Sequence, residues 1–230
     1  MKKTLHKVLC FILLCLLQGC GVSYQWSKSH PLYKDAPTKS ITVTGLSDAF
    51  VVTRSGWFAK RLDVSKDSIQ TFASGYSSRM FLEELQKIYP TVNIIPDSSI
   101  NKFSEESQKL SDRIFMKGFL PDQGVEVKDV NGNVPSQILI IHEFILGTDL
   151  KREDFFDYAL IHNEEATKKG AENLTAIYSF TLWDNLKQRP LYSAVNEIQQ
   201  PIQKFTLEDI KKIVTKAALQ IRKDLAEGVQ

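Results

Sequence analysis

Nine consecutive residues, Ile138-Leu139-Ile140-Ile141-His142-Glu143-Phe144-Ile145-Leu146, constrain the fold more than any other stretch of the chain. Successive side chains of a strand point to opposite faces, so a run that is apolar on both faces describes a strand covered on both sides. Such a strand belongs in the interior of a sheet with other elements packed above and below it. An all-helical bundle has no use for it. The fold class expected is therefore α/β (α+β), a single domain of two or three layers built on a mixed sheet.

The neighbouring patterns agree with that centre. Ser40-Ile41-Thr42-Val43-Thr44-Gly45 alternates and is β-rich, and Phe50-Val51-Val52 reads as a short strand within an otherwise ill-defined segment, 46–74. From Ser77, the spacing of Phe81, Leu82, Leu85, Ile88 and Tyr89 predicts a helix that Pro90 ends. Val92 to Ile95 follows as a short strand. Ile100, Phe103, Leu110 and Ile114 suggest a second, more polar helix, and Asn131-Gly132 marks a turn.

The C-terminal third is the most legible. Ala176, Tyr178, Phe180 and Leu182 alternate on one face of a strand, Asp184 to Arg189 makes a turn, and Leu191 to Val195 returns as the antiparallel partner. Thr206 with Asp209 reads as a variant capping box, and Phe205 with Ile210 as a hydrophobic staple. Leu207, Ile210, Ile213, Val214, Ala217, Ile221 and Leu225 then form one apolar stripe of a terminal amphipathic helix that closes the core. Between the central strand and this hairpin, Lys151 to Asn173 is a charged excursion, with some helical character around Phe155 to Ile161.

The N-terminus has a different character. Lys2, Lys3 and Lys7 precede ten apolar residues, Val8 to Leu17, and then Gln18-Gly19-Cys20. At about 1.5 Å per residue the apolar core covers about half of a ~30 Å hydrocarbon layer, which suits a processed export signal and not a spanning anchor. Leu17-Gln18-Gly19-Cys20 resembles the lipobox of bacterial lipoproteins. That resemblance implies cleavage between Gly19 and Cys20 and lipidation of Cys20; an ordinary secretory signal that happens to hold a cysteine is the competing reading. The three cysteines are Cys10, Cys15 and Cys20, so processing would leave Cys20 alone and the mature chain without an internal disulfide. Gly21, where an aspartate would mark retention, implies transfer to the outer membrane, facing the periplasm. The division expected is 1–19 signal peptide, 20–39 lipidated cysteine and tether, and 40–230 the domain. Tyr24, Trp26 and Tyr33 within the tether would sit at the lipid interface or pack on the domain.

Charge narrows the partners. The chain of 230 residues has a formal charge of +2, and without the leader lysines 26 basic residues face 27 acidic ones. A nucleic-acid partner loses its electrostatic basis. Motifs for chemistry are near-misses. His142-Glu143 opens like a zincin helix, but Leu146 stands where the second histidine belongs. Gly75-Tyr76-Ser77 starts like a nucleophile elbow, and Arg79 replaces its last glycine. No metal site or catalytic residue is assigned, and no cofactor beyond the lipid on Cys20. His142 is expected to be a hydrogen-bonded sheet histidine, and Glu143 to point to the opposite face; the pair is the one polar site candidate in the domain.

The order of elements, with Tyr178-Ser179-Phe180-Thr181-Leu182-Trp183-Asp184 and Pro190-Leu191-Tyr192-Ser193 in the hairpin, resembles a small α/β domain of envelope proteins. It is shared by the TolB N-terminal domain, the curli-secretion lipoprotein CsgG and lipoprotein activators of penicillin-binding proteins. The resemblance implies a non-enzymatic, lipid-anchored module that joins or regulates an envelope protein complex. An accessory subunit of a lipid or solute transport complex, with an apolar pocket beside the helix from Ser77, is the alternative. A hydrolase using acids near Asp149 to Asp154 is the third reading.

Overall fold

The computed structural model describes residues 22–44, 46–112, 114–148 and 173–229. Within them lie strands β1 (Val22–Ser29), β2 (Ser40–Thr44), β3 (Phe50–Val52), β4 (Thr91–Ile94), β5 (Phe103–Lys109), β6 (Phe115–Pro121), β7 (Gln137–Thr148), β8 (Asn173–Asp184) and β9 (Arg189–Pro201). The helices are α1 (Leu46–Ala49), α2 (Ser55–Leu62), α3 (Ile69–Ile88) and α4 (Leu207–Glu227). Gly19, Cys20 and the excursion from Lys151 as far as 172, with Asp149 to Asp154, lie outside the described residues.

The fold is α/β with a mixed sheet. Seven strands form it in the order β1-β9-β8-β7-β2-β4, with β3 also on β7. From β1 to β7 the pairing is antiparallel, and β2, β3 and β4 join in parallel. The apolar run is the middle of β7, as its two covered faces require. β2 meets it at Leu139 and Ile140, and β3 at Phe144 to Leu146, with the single turn of α1 stepping out between them.

Each face of the sheet has its own core. Leu139, Ile141, Phe144 and Leu146 of β7 join Tyr178 and Phe180 of β8 under α3 and α4, where Phe144 stacks on Phe50 and Tyr178 at 4.7 and 5.4 Å between ring centres. Ile138, Ile140 and Ile145 face the other way, under the β5–β6 ribbon. The stripe of α4 is buried from Ile210 to Leu225, and its first turn is capped as expected: the Thr206 N–H donates to the Asp209 carboxylate at 2.9 Å.

Three expectations are corrected. The helix suggested by Ile100 to Ile114 is instead a short 3-10 turn, Asp97–Lys102, followed by the β5–β6 hairpin. This ribbon turns polar Gln108 as well as Met116 and Leu120 toward the sheet, so its alternation is not one of hydropathy. The helix expected from Ser77 begins at Ile69, because small polar residues line its first half and Ser77 itself is buried.

The tether, 20–39, is the third. β1 occupies its first half and pairs with β9 from Val22↔Ile198 to Ser29↔Tyr192. Tyr33 is buried, and its hydroxyl donates to the Leu225 carbonyl at 2.7 Å. The domain's sheet therefore includes Val22–Ser29, well before residue 40. The strand shows no hydrophobic alternation because its helix-side residues are polar and meet polar partners: Gln25 reaches Asp224, and Ser29 donates to the Gly228 carbonyl. Trp26, on the opposite face, packs with Leu110, Met116 and Ile145, the second of the two placements expected for it.

Candidate functional site

The polar candidates predicted from the sequence meet at a bulge. β7 pairs Ile141 with Phe180 and then Glu143 with Ser179, so His142 is an extra residue in the ladder. Because Ile141 and Phe144 both belong to the helix-side core, His142 and Glu143 share the ribbon face. The expectation that Glu143 points away from His142 is thereby corrected; without the bulge, strict alternation would have separated them.

His142 sits beneath the ribbon. Gly118 of β6 lies so close that a Cβ there would stand 2.5 Å from His142 Nδ1, so only glycine lets the ribbon down onto the ring. His142 Nε2 hydrogen-bonds Thr181 Oγ1 at 2.9 Å. Thr181 Oγ1 also accepts from Gln108 Nε2 at 3.1 Å, and the Ser193 hydroxyl donates to Gln108 Oε1 at 2.6 Å. These four side chains sew β5 to β7, β8 and β9. Ser107, Gln108 and Ser193 in turn line a cleft of about 300 Å³ together with Lys28, His30, Lys109 and Leu191.

Burial holds the His142 imidazole down at about 4, so the ring is neutral in the folded protein near neutrality. The unfolded chain takes up a proton near the ordinary value of about 6.5, and the folded chain does so only near 4. Stability is thus highest above 6.5 and falls as the pH drops through that window, by at most about 3 kcal/mol. His142→Gln keeps a hydrogen-bonding group and cannot titrate. Urea unfolding of both proteins from pH 7.5 to 4 is expected to show the gap between them moving in favour of the variant as acid is added. Parallel curves would mean that His142 is not enclosed as described.

The second polar site was missed by sequence reasoning. Asp224, on α4, is 1% exposed, and its carboxylate accepts from Gln25 Nε2 at 2.9 Å, Asn196 Nδ2 at 2.6 Å and Gln220 Nε2 at 2.6 Å. Burial pushes the carboxyl above the usual range, against the pull of the three amide donors. Asn196 also donates to the Tyr178 hydroxyl at 3.3 Å. The cluster joins the edge strand, β9 and the terminal helix through one carboxylate. Beside it a cleft of about 400 Å³ is lined by Gln25, Ser27, Ser29, Tyr192, Glu227 and Gly228. A signal was available: Asp224 stands three residues after Ile221, inside the apolar stripe, where an acid needs buried donors.

Asp224 and His142 lie on opposite faces of the sheet, so the structure does not bring the two polar sites together. Among the described residues no group of three or more His, Cys, Asp or Glu side chains is placed to hold a metal ion, and no helix is long and apolar enough to cross a membrane.

No protein-family model matches the sequence, and no curated protein does. Over most of its length the chain is similar to PelC of Paraburkholderia phytofirmans, solved as a dodecamer. One structure, of a substituted form, has 10% identity, covers 90% of this chain and 99% of the other, and gives a TM-score of 0.36. A second has 11% identity, covers 88% and 96%, and gives 0.35.

Proposed function

We propose that this protein is a lipid-anchored module of the bacterial cell envelope, joined through Cys20 to the outer membrane and facing the periplasm, where it docks on or regulates an envelope protein complex without catalysing a reaction. The observation that carries the reading is the leader: three lysines, ten apolar residues and Leu17-Gln18-Gly19-Cys20, followed directly by the first strand of the domain. A thioether-linked diacylglycerol with an N-acyl chain exceeds the two-signal requirement for stable anchoring. A surface suited to a protein partner supports the docking role. Phe115 and Phe119, 56% and 51% exposed, stand on the outer side of the β5–β6 ribbon with Lys117 between them. Aromatic residues, phenylalanine among them, are enriched at protein interfaces relative to the rest of the surface.

Labelled palmitate and affinity capture of the full-length protein from detergent-solubilised envelopes test both parts. Cys20→Ser is expected to abolish palmitate incorporation, and incorporation at the wild-type level would refute the anchor. Phe115→Ser with Phe119→Ser is expected to leave the melting temperature unchanged and to remove a co-captured envelope protein. His142→Gln and Glu143→Gln are expected to keep that partner. Retention by the phenylalanine variant, with loss in a folded His142 or Glu143 variant, would reverse the assignment of the surface.

A further inference from the structure

The cleft of about 300 Å³ beside the Gln108–Ser193 hydrogen bond is walled by the end of β1, by β5 and by the start of β9. Lys28, His30 and Lys109 are among the residues that line it, and no Asp or Glu among the described residues does. The chain as a whole holds 29 basic against 27 acidic residues, so three bases on one cleft are a local excess. Pro31, Pro190 and Leu191 supply apolar wall. A cleft of one charge sign with walls of low dielectric focuses the field and concentrates counter-ions. Ser193 lies eight residues along β9 from Pro201, the partner of Asn173, so the cleft is about 26 Å from the end of the sheet where β8 begins.

The groups it offers are donors. His30 Nδ1 accepts from the Leu32 N–H at 3.1 Å, so the ring proton is on Nε2 and can be donated. Lys28 is exposed and has no ion-pair partner among the described residues. Lys109 meets Asp112 at 3.0 Å, but that carboxylate side chain is 98% exposed, and so open a pair is weak. One wall is fixed. The Ser193 hydroxyl, 2% exposed, donates to Gln108 Oε1 at 2.6 Å, and Gln108 donates in turn to Thr181. Two ammonium groups match a dianion. A phosphate monoester carries nearly two negative charges near neutrality and presents three acceptor oxygens, whereas a carboxylate carries one charge.

We propose that this cleft binds a phosphate monoester, with its oxygens on Lys28, His30 and Lys109 and its apolar body against Leu191 and the two prolines. The site depends neither on lipid at Cys20 nor on the phenylalanines of β6. Its ligand group occurs on soluble esters and on lipids alike.

Calorimetric titration of the full-length protein, in a neutral detergent at low salt, tests this with phenyl phosphate, benzoate and dihexanoylphosphatidic acid. Phenyl phosphate is expected to bind at least about fivefold tighter than benzoate, because it brings nearly twice the charge into the same field. Lys28→Gln with Lys109→Gln, both at exposed positions, is expected to leave the melting temperature unchanged and to weaken phenyl phosphate at least about tenfold. Asp112→Asn, which frees Lys109, is expected to tighten it about twofold. Tighter binding of the phosphatidic acid than of phenyl phosphate supports the site with a lipid as source, and weaker binding supports it with a soluble ester. Benzoate bound as tightly as phenyl phosphate overturns the assignment of the ligand. No saturable binding, or an unchanged affinity in the double lysine variant, overturns the site.

Discussion

Ile213→Asp is expected to cost at least about 4 kcal/mol, a large part of the 5–15 kcal/mol that holds a typical domain together. Ile213 has no exposed surface and sits mid-stripe on α4, which packs against α3, β8 and β9. The substitution removes a buried isoleucine and puts a carboxylate in its place with no donor provided for it. Asp224 shows what a buried acid needs on this helix, namely three amide donors converging from β1, β9 and the helix itself. Lys212, one position earlier, is exposed, and Lys212→Asp is expected to change stability by less than about 0.5 kcal/mol. Urea unfolding of the two variants measures the contrast, and equal losses would show that α4 does not dock by this stripe.

Deleting Val22 to Ser29 is expected to abolish the cooperative unfolding transition. The deletion strips β9 of its edge partner, takes Trp26 from the ribbon-side core, and removes the Gln25 donor from Asp224. A free β9 edge would also invite aggregation. Gln25→Ala isolates one part of that loss, and leaving the buried carboxylate one donor short is expected to cost about 1–3 kcal/mol. A flexible tether would tolerate both changes. Wild-type melting of the deletion variant, read by circular dichroism, would restore the tether and move the start of the domain back toward residue 40.

The legible parts of the fold are those whose side chains meet apolar neighbours on a regular period. β7, β8 and β9, the Phe50 to Val52 strand and α4 all fall in this class, and each lies where its residues predict. The parts that differ from expectation make their contacts through polar groups. α3 begins eight residues early, and its Gln70 side chain uses both ends, accepting from the Val52 N–H and donating to the Phe50 carbonyl, each at 2.9 Å. The ribbon faces the sheet through Gln108, and β1 faces α4 through Gln25, Ser27 and Ser29. Hydropathy patterns detect apolar packing, and polar side chains that are exposed or half-buried yet hydrogen-bonded to distant segments leave no period to read.

His142 and Glu143 stand out in the sequence as polar residues in a hydrophobic strand, but their common face depends on a one-residue bulge. A bulge is a property of the pairing between β7 and β8 and leaves no mark in either strand alone. Asp224 shows the same division. Its place in the stripe of α4 could be read from three-residue spacing, whereas the Gln25 that satisfies it lies 199 residues away. Local sequence alone determined the class of the fold and the strands and helix with apolar faces, because spacing and period are short-range properties. The tertiary structure decided that Val22–Ser29 belongs to the sheet and which polar side chains are paired, because both depend on contacts between segments far apart in the chain.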